Sequence, residues 1–130
     1  MFIALAVTGP PPVPDGKNAG RPMTVTTLEG DDDLEIRWDS RTCPAEDYNL
    51  FFGDLSSVAS LTLSSAACSM GSTGLAWVSP PTGDVFFLLA STDGAGVESW
   101  HGVDSDGVPR ASSGVGFCGV VEQSLDGSCP

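Results

Sequence analysis

Six consecutive residues set the period of this chain. Leu34-Glu35-Ile36-Arg37-Trp38-Asp39 alternates apolar and charged without a break, so Leu34, Ile36 and Trp38 face one way and Glu35, Arg37 and Asp39 face water. A period of two is that of a half-buried β-strand, here with an indole on its core face. The other apolar runs are equally short. Asp47 to Asp54 sets Tyr48, Leu50 and Phe52 on one face and Asn49 and Phe51 on the other. Val85 to Ala90 is apolar on both faces, as a central strand is. Met23 to Leu28, Leu75 to Val78 and Val97 to Val103 add three more strands. Val115, Phe117, Val120 and Val121 form a last strand or strap. Leu55 to Leu63 reads as either a helical turn or a strand end, and Ser64 to Gly74 reads as a loop around Cys68.

Punctuation agrees with this reading. The chain holds 16 glycines and 10 prolines. They break it about every ten residues, the spacing of a β-sandwich. The expected fold is all-β, an antiparallel sandwich of about seven strands. Three regions are expected: an apolar start with a Pro/Gly-rich linker at 1–21, the sandwich at 22–110, and a C-terminal strap at 111–130. Gly9 to Pro22, with three prolines in a row, reads as a semi-extended spacer. Met1 to Val7 is apolar but lacks the cationic start of an export signal. It reads as a signal remnant, an artefact of the gene start or an extra edge strand.

Charge narrows the partners. There are 17 acids against 5 Lys and Arg, a net charge of −12. No Lys or Arg occurs between Arg41 and Arg110. Nucleic-acid surfaces and anionic membranes both need cations, so neither is an expected partner. No stretch approaches the length of a membrane-spanning helix.

Four cysteines, Cys43, Cys68, Cys118 and Cys129, include no C-x-x-C pair and accompany a single histidine, which disfavours zinc. Disulfides suit the Gly/Pro/Ser/Thr-rich, Lys-poor composition and place the chain in an oxidising compartment, secreted or at the cell surface. Three connectivities exist. Neighbour pairing, Cys43–Cys68 and Cys118–Cys129, is the expectation, each bridge worth ~3 kcal/mol in the chain-entropy model.

At this point the residues resemble a known family. Trp38 on the second strand resembles the buried tryptophan of fibronectin type III domains, and Asp47-Tyr48-Asn49-Leu50-Phe51-Phe52 resembles their third strand. Val85 to Ala90, followed by Gly94-Ala95-Gly96-Val97-Glu98-Ser99, resembles the closing hairpin. A narrower likeness, through Ser99-Trp100-His101-Gly102-Val103-Asp104, is to fibronectin-type modules of bacterial secreted or surface multi-domain proteins. It covers about residues 22–118. The sixth strand departs from the pattern, with Phe86 and Phe87 where a tyrosine is expected. The resemblance implies a fibronectin type III/immunoglobulin-like sandwich without catalysis, acting as spacer, adhesion or display unit beside other domains. It also implies that Cys43 and Cys68 lie in loops at one end, which supports their pairing.

Candidate chemistry is sparse. His101 lacks the Gly-x-Ser-x-Gly elbow of a hydrolase and reads as a surface or packing residue, so no catalytic residue and no cofactor is expected. Asp31, Asp32, Asp33, Asp104 and Asp106 are oxygen donors on turns, weak candidates for calcium, but no glutamate completes a calcium loop. Solvated turns are the preferred reading. Tyr48 and Trp77 are expected in the core, while Trp100 is expected to face out and is the one candidate ligand contact. The functional expectation is a non-catalytic extracellular module. A carbohydrate-binding module, calcium-aided or not, on a secreted hydrolase is the first alternative. A filament subunit exchanging its N-terminal segment is the second.

Overall fold

The structure, a computed structural model, describes residues 9–14, 20–27, 32–110, 112–125 and 127. Met1 to Val7, Asp31 and Cys129 lie outside them. Eight strands are present among the described residues: β1 (Thr24–Thr27), β2 (Leu34–Arg37), β3 (Asp47–Asp54), β4 (Ser65–Ala67), β5 (Leu75–Val78), β6 (Val85–Thr92), β7 (Val97–Glu98) and β8 (Glu122–Gln123). They form a three-stranded sheet ordered β1-β2-β5 and a five-stranded sheet ordered β4-β3-β6-β7-β8. Every pairing is antiparallel except β7 with β8. The all-β sandwich expected from the alternation is what the chain forms, with one strand more than the rough count.

The sheets meet over the predicted core face. Ile36, Trp38 and Val78 from the small sheet pack on Tyr48, Leu50, Phe52 and Leu89 from the large one. The Trp38 and Tyr48 rings stand 5.2 Å apart at 56°. Each such side chain contributes about 1.5–3 kcal/mol through burial.

The stretch read as a loop around Cys68 contains β4, which pairs with β3, and three larger readings change. First, Phe51 does lie on the face opposite Tyr48, Leu50 and Phe52, but that face is buried too. Phe51 forms a second core with Phe86, Leu88 and Ala90 on the far side of the five-stranded sheet, covered by Leu61, Leu63, Phe117 and Cys118. The C-terminal strap is therefore a third layer, which explains why β6 is apolar on both faces. Second, the described part of the Pro-rich run is no free spacer. Val13 enters the inter-sheet core, and the Ser91 hydroxyl donates to the Pro11 carbonyl. Gly9 lies against Ser124 and Gly127 against the Pro10 carbonyl, with no room for a Cβ at either glycine. Third, Asp39 is buried rather than solvated. Its carboxylate accepts the backbone N–H of Arg21 (3.1 Å), Arg41 (3.0 Å) and Thr42 (3.0 Å) and the Thr42 hydroxyl (2.7 Å). Those bonds, the Thr42 hydroxyl foremost, hold its acidity well below the usual carboxylate range.

The disulfides also differ from expectation. Cys68 is bonded to Cys118, with Cα atoms 5.3 Å apart at a sequence separation of 50. Both expected pairs are thereby overturned, because each used one of these two sulfurs. Cys43, nearly inaccessible, is disulfide-bonded as well. The physical reason is the third layer. The strap lies across the β4 side of the large sheet and brings Cys118 to the end of β4, whereas Cys43 sits in the inter-sheet loop ahead of β3.

Candidate functional site

The densest polar chemistry lies beneath the strap. β7 ends at Glu98, and the chain then turns so that His101 returns under it. The Glu98 carboxylate accepts His101 Nε2 (3.0 Å), the Gly114 amide (2.7 Å) and Gln123 Nε2 (3.1 Å). On the other side of the imidazole, Nδ1 meets Ser112 Oγ at 2.8 Å. A carboxylate can only accept, so in the neutral imidazole Nε2 donates to Glu98 and Nδ1 accepts the Ser112 proton. Phe51 stacks on the ring at 5.0 Å and 27°. Gly114 is required here, because a Cβ would overlap Glu98 Oε1 and the Phe51 ring.

Acid, imidazole and hydroxyl in this order are the parts of an activated nucleophile. The setting is different. Glu98 is 0 % exposed, His101 2 % and Ser112 6 %, so the hydroxyl has no open approach. What the arrangement does is bind layers. It ties β7, the loop at His101, the strap at Ser112 and Gly114, and β8 at Gln123, with every strong polar group partnered. Sequence reasoning placed His101 as surface or packing, and packing is what it does. Glu98, Ser112 and Gln123 gave no signal, since two of them lie 11 and 25 residues from the partners they bond.

The aromatic candidates exchange roles. Tyr48 is core, as expected. Trp77 is 49 % exposed on the outer face of the small sheet, beside Leu75 at 38 %, and opposite Glu35 across the β2–β5 ladder. Trp100 is half-buried, with its indole N–H enclosed and without a hydrogen-bond partner. The exposed indole of this molecule is therefore Trp77.

The turn carboxylates act as local braces. Asp104 Oδ1 accepts the amides of Asp106 (2.9 Å) and Val108 (3.0 Å). Asp33 Oδ1 accepts the Ser79 hydroxyl at 2.6 Å. Asp32 and Asp106 are exposed. Among the described residues no three His, Cys, Asp or Glu side chains come together as a metal site.

Several concavities reach the size of a ligand site, and one of them joins apolar wall to acid. A pocket of about 610 Å³ opens where the N-terminal run, the loop ahead of β3 and β8 converge. Pro11, Pro44 and Val97 give it apolar wall, and Glu46, Asp93 and Glu122 line it with acid. No helix among the described residues is long and apolar enough to cross a membrane. Comparison with known proteins adds no relative: no family model, no curated protein and no solved structure matches the chain.

Proposed function

We propose that the chain is a non-enzymatic, secreted or cell-surface β-sandwich module of fibronectin type III kind, serving as a spacer or adhesion domain of a larger protein. The observation that carries this reading is the strand order. Two sheets ordered first-second-fifth and fourth-third-sixth-seventh match the plan of that module, with β8 and the strap added outside it. Two further features support it. The cross-layer disulfide suits an oxidising compartment. The Glu98–His101–Ser112 chain is enclosed, as a brace is and a working nucleophile is not.

A second reading rests on Trp77. An exposed indole on a flat sheet face, flanked by Leu75, is the kind of surface on which a sugar ring stacks. One experiment separates the two. The purified oxidised chain is sized in solution, passed over immobilised polysaccharides, and assayed against activated ester substrates. A monomer with no retention and no turnover fits the spacer reading. Retention abolished in Trp77→Ala moves the assignment to carbohydrate binding. Ester turnover lost in Ser112→Ala overturns the non-enzymatic reading.

A further inference from the structure

The acid-lined pocket has a chemistry that selects its occupant. Glu46, Asp93 and Glu122 reach it from three separate parts of the fold: the loop ahead of β3, the end of β6 and β8. Neither the Glu46 nor the Glu122 side-chain carboxylate has an ion-pair or hydrogen-bond partner among the described residues. Asp93 commits only Oδ1, to the amides of Ala95 (2.7 Å) and Val97 (3.1 Å). Among the described residues no Lys, Arg or His lines the pocket. The nearest stretch of sequence on either side of Asp93 offers none either, since the chain carries no Lys or Arg between Arg41 and Arg110. An anionic or phosphorylated ligand is repelled from such a place. A single metal ion is also poorly served, because these carboxylates do not converge into a three-ligand group.

Cationic side chains on long apolar stems fit better. Pro11, Pro44 and Val97 offer the wall against which a methylene stem packs while its charged head reaches the carboxylates. The volume, about 610 Å³, exceeds one side chain and matches a short peptide segment. We propose that this pocket docks a lysine- or arginine-rich segment of a partner protein, selected by charge complementarity. The proposal stands whether the module is a spacer or an adhesion domain.

The test is a fluorescence-anisotropy titration with labelled peptides of equal length, one Lys/Ala-based and one Glu/Ala-based, on the full oxidised chain. Two double variants remove the same charge: Glu46→Gln with Glu122→Gln in the pocket, and Asp54→Asn with Asp84→Asn on the opposite surface, all at exposed positions. The expected result is binding of the basic peptide only, weakened roughly fivefold or more by the pocket pair, with an effect below about twofold from the control pair. Added salt should weaken it further. Equal losses from both pairs would reduce the effect to the overall field and overturn the proposal, as would equal binding of the acidic peptide or no binding at millimolar protein. Any of these leaves the sandwich-module reading standing.

Discussion

Replacing Cys68 and Cys118 together by serine tests the three-layer architecture most directly. The bridge closes a loop of 50 residues that spans β5, β6 and β7 and ends in the strap. In the chain-entropy model a loop of that length restrains the unfolded chain by about 14 cal/mol/K, or about 4 kcal/mol at room temperature. The neighbour pairing would have closed shorter loops worth ~3 kcal/mol apiece. A chain this long unfolds with an entropy near 0.27 kcal/mol/K, so the double serine variant should melt roughly 15 °C lower. Calorimetry and urea denaturation on oxidised wild type and variant measure this, with Cys43 left as it is in both. Non-reducing peptide mapping is the companion assay and should recover Cys68 joined to Cys118. A loss below about 1 kcal/mol with native-like spectra would mean that the loop is already restrained when unfolded. A peptide joining Cys43 to Cys68 would refute the layer arrangement itself.

Other outcomes follow from single sites. Asp39, whose acidity is held low by four donated hydrogen bonds, stabilises the fold above the unfolded carboxylate pKa near 3.9 and loses that contribution as pH falls below it. Asp39→Asn should therefore be less stable at pH 7, with the gap to wild type closing below about pH 4, as followed by urea midpoints across pH. Glu98→Ala strands the donors of His101, Gly114 and Gln123, and should cost roughly 3–5 kcal/mol by urea denaturation. Its hydrogen-exchange protection should fall first at β8. Trp38→Ala removes the indole between the sheets and should cost about 3–5 kcal/mol. A near-neutral effect would mean that the core does not rest on that strand.

The parts of this fold that were legible are those where period and side-chain size agree. β2 alternates charged and apolar residues, and β3 puts Tyr48, Leu50 and Phe52 in one frame. β5 shows where that logic ends. Leu75-Ala76-Trp77-Val78 is apolar in both frames, and size favours burying Leu75 and Trp77. The ladder decides otherwise: Ile36 pairs with Ala76 and Leu34 with Val78, so the smaller residues face the core and the indole faces out. The cover over Phe51 went unforeseen for a related reason. Alternation marks two faces but cannot mark a third layer: Val115, Phe117, Val120 and Val121 announce a strap without saying which face it covers. Val97 to Val103 looked like one strand, but the ladder stops at Glu98. The next residues turn away to bring His101 back to the carboxylate. The Glu98–Ser112–Gln123 assembly had no local pattern at all, because its members meet only through the tertiary fold.

The contact of Gly9 with Ser124 and of Pro10 with Gly127 bears on how this fold would respond to tension. Tension entering through residues 9 and 127 meets two adjacent points rather than opposite ends of a rod. The first bonds it strains are those holding the two runs together, and the sheets lie outside the direct line. Peeling of the C-terminal run can reach no further than Cys118, whose sulfur is moored to Cys68. The segment between those sulfurs, a sequence separation of 50, cannot be drawn out, which withholds about 170 Å of chain from extension. Under force the module behaves as a clasp with a short, fixed travel.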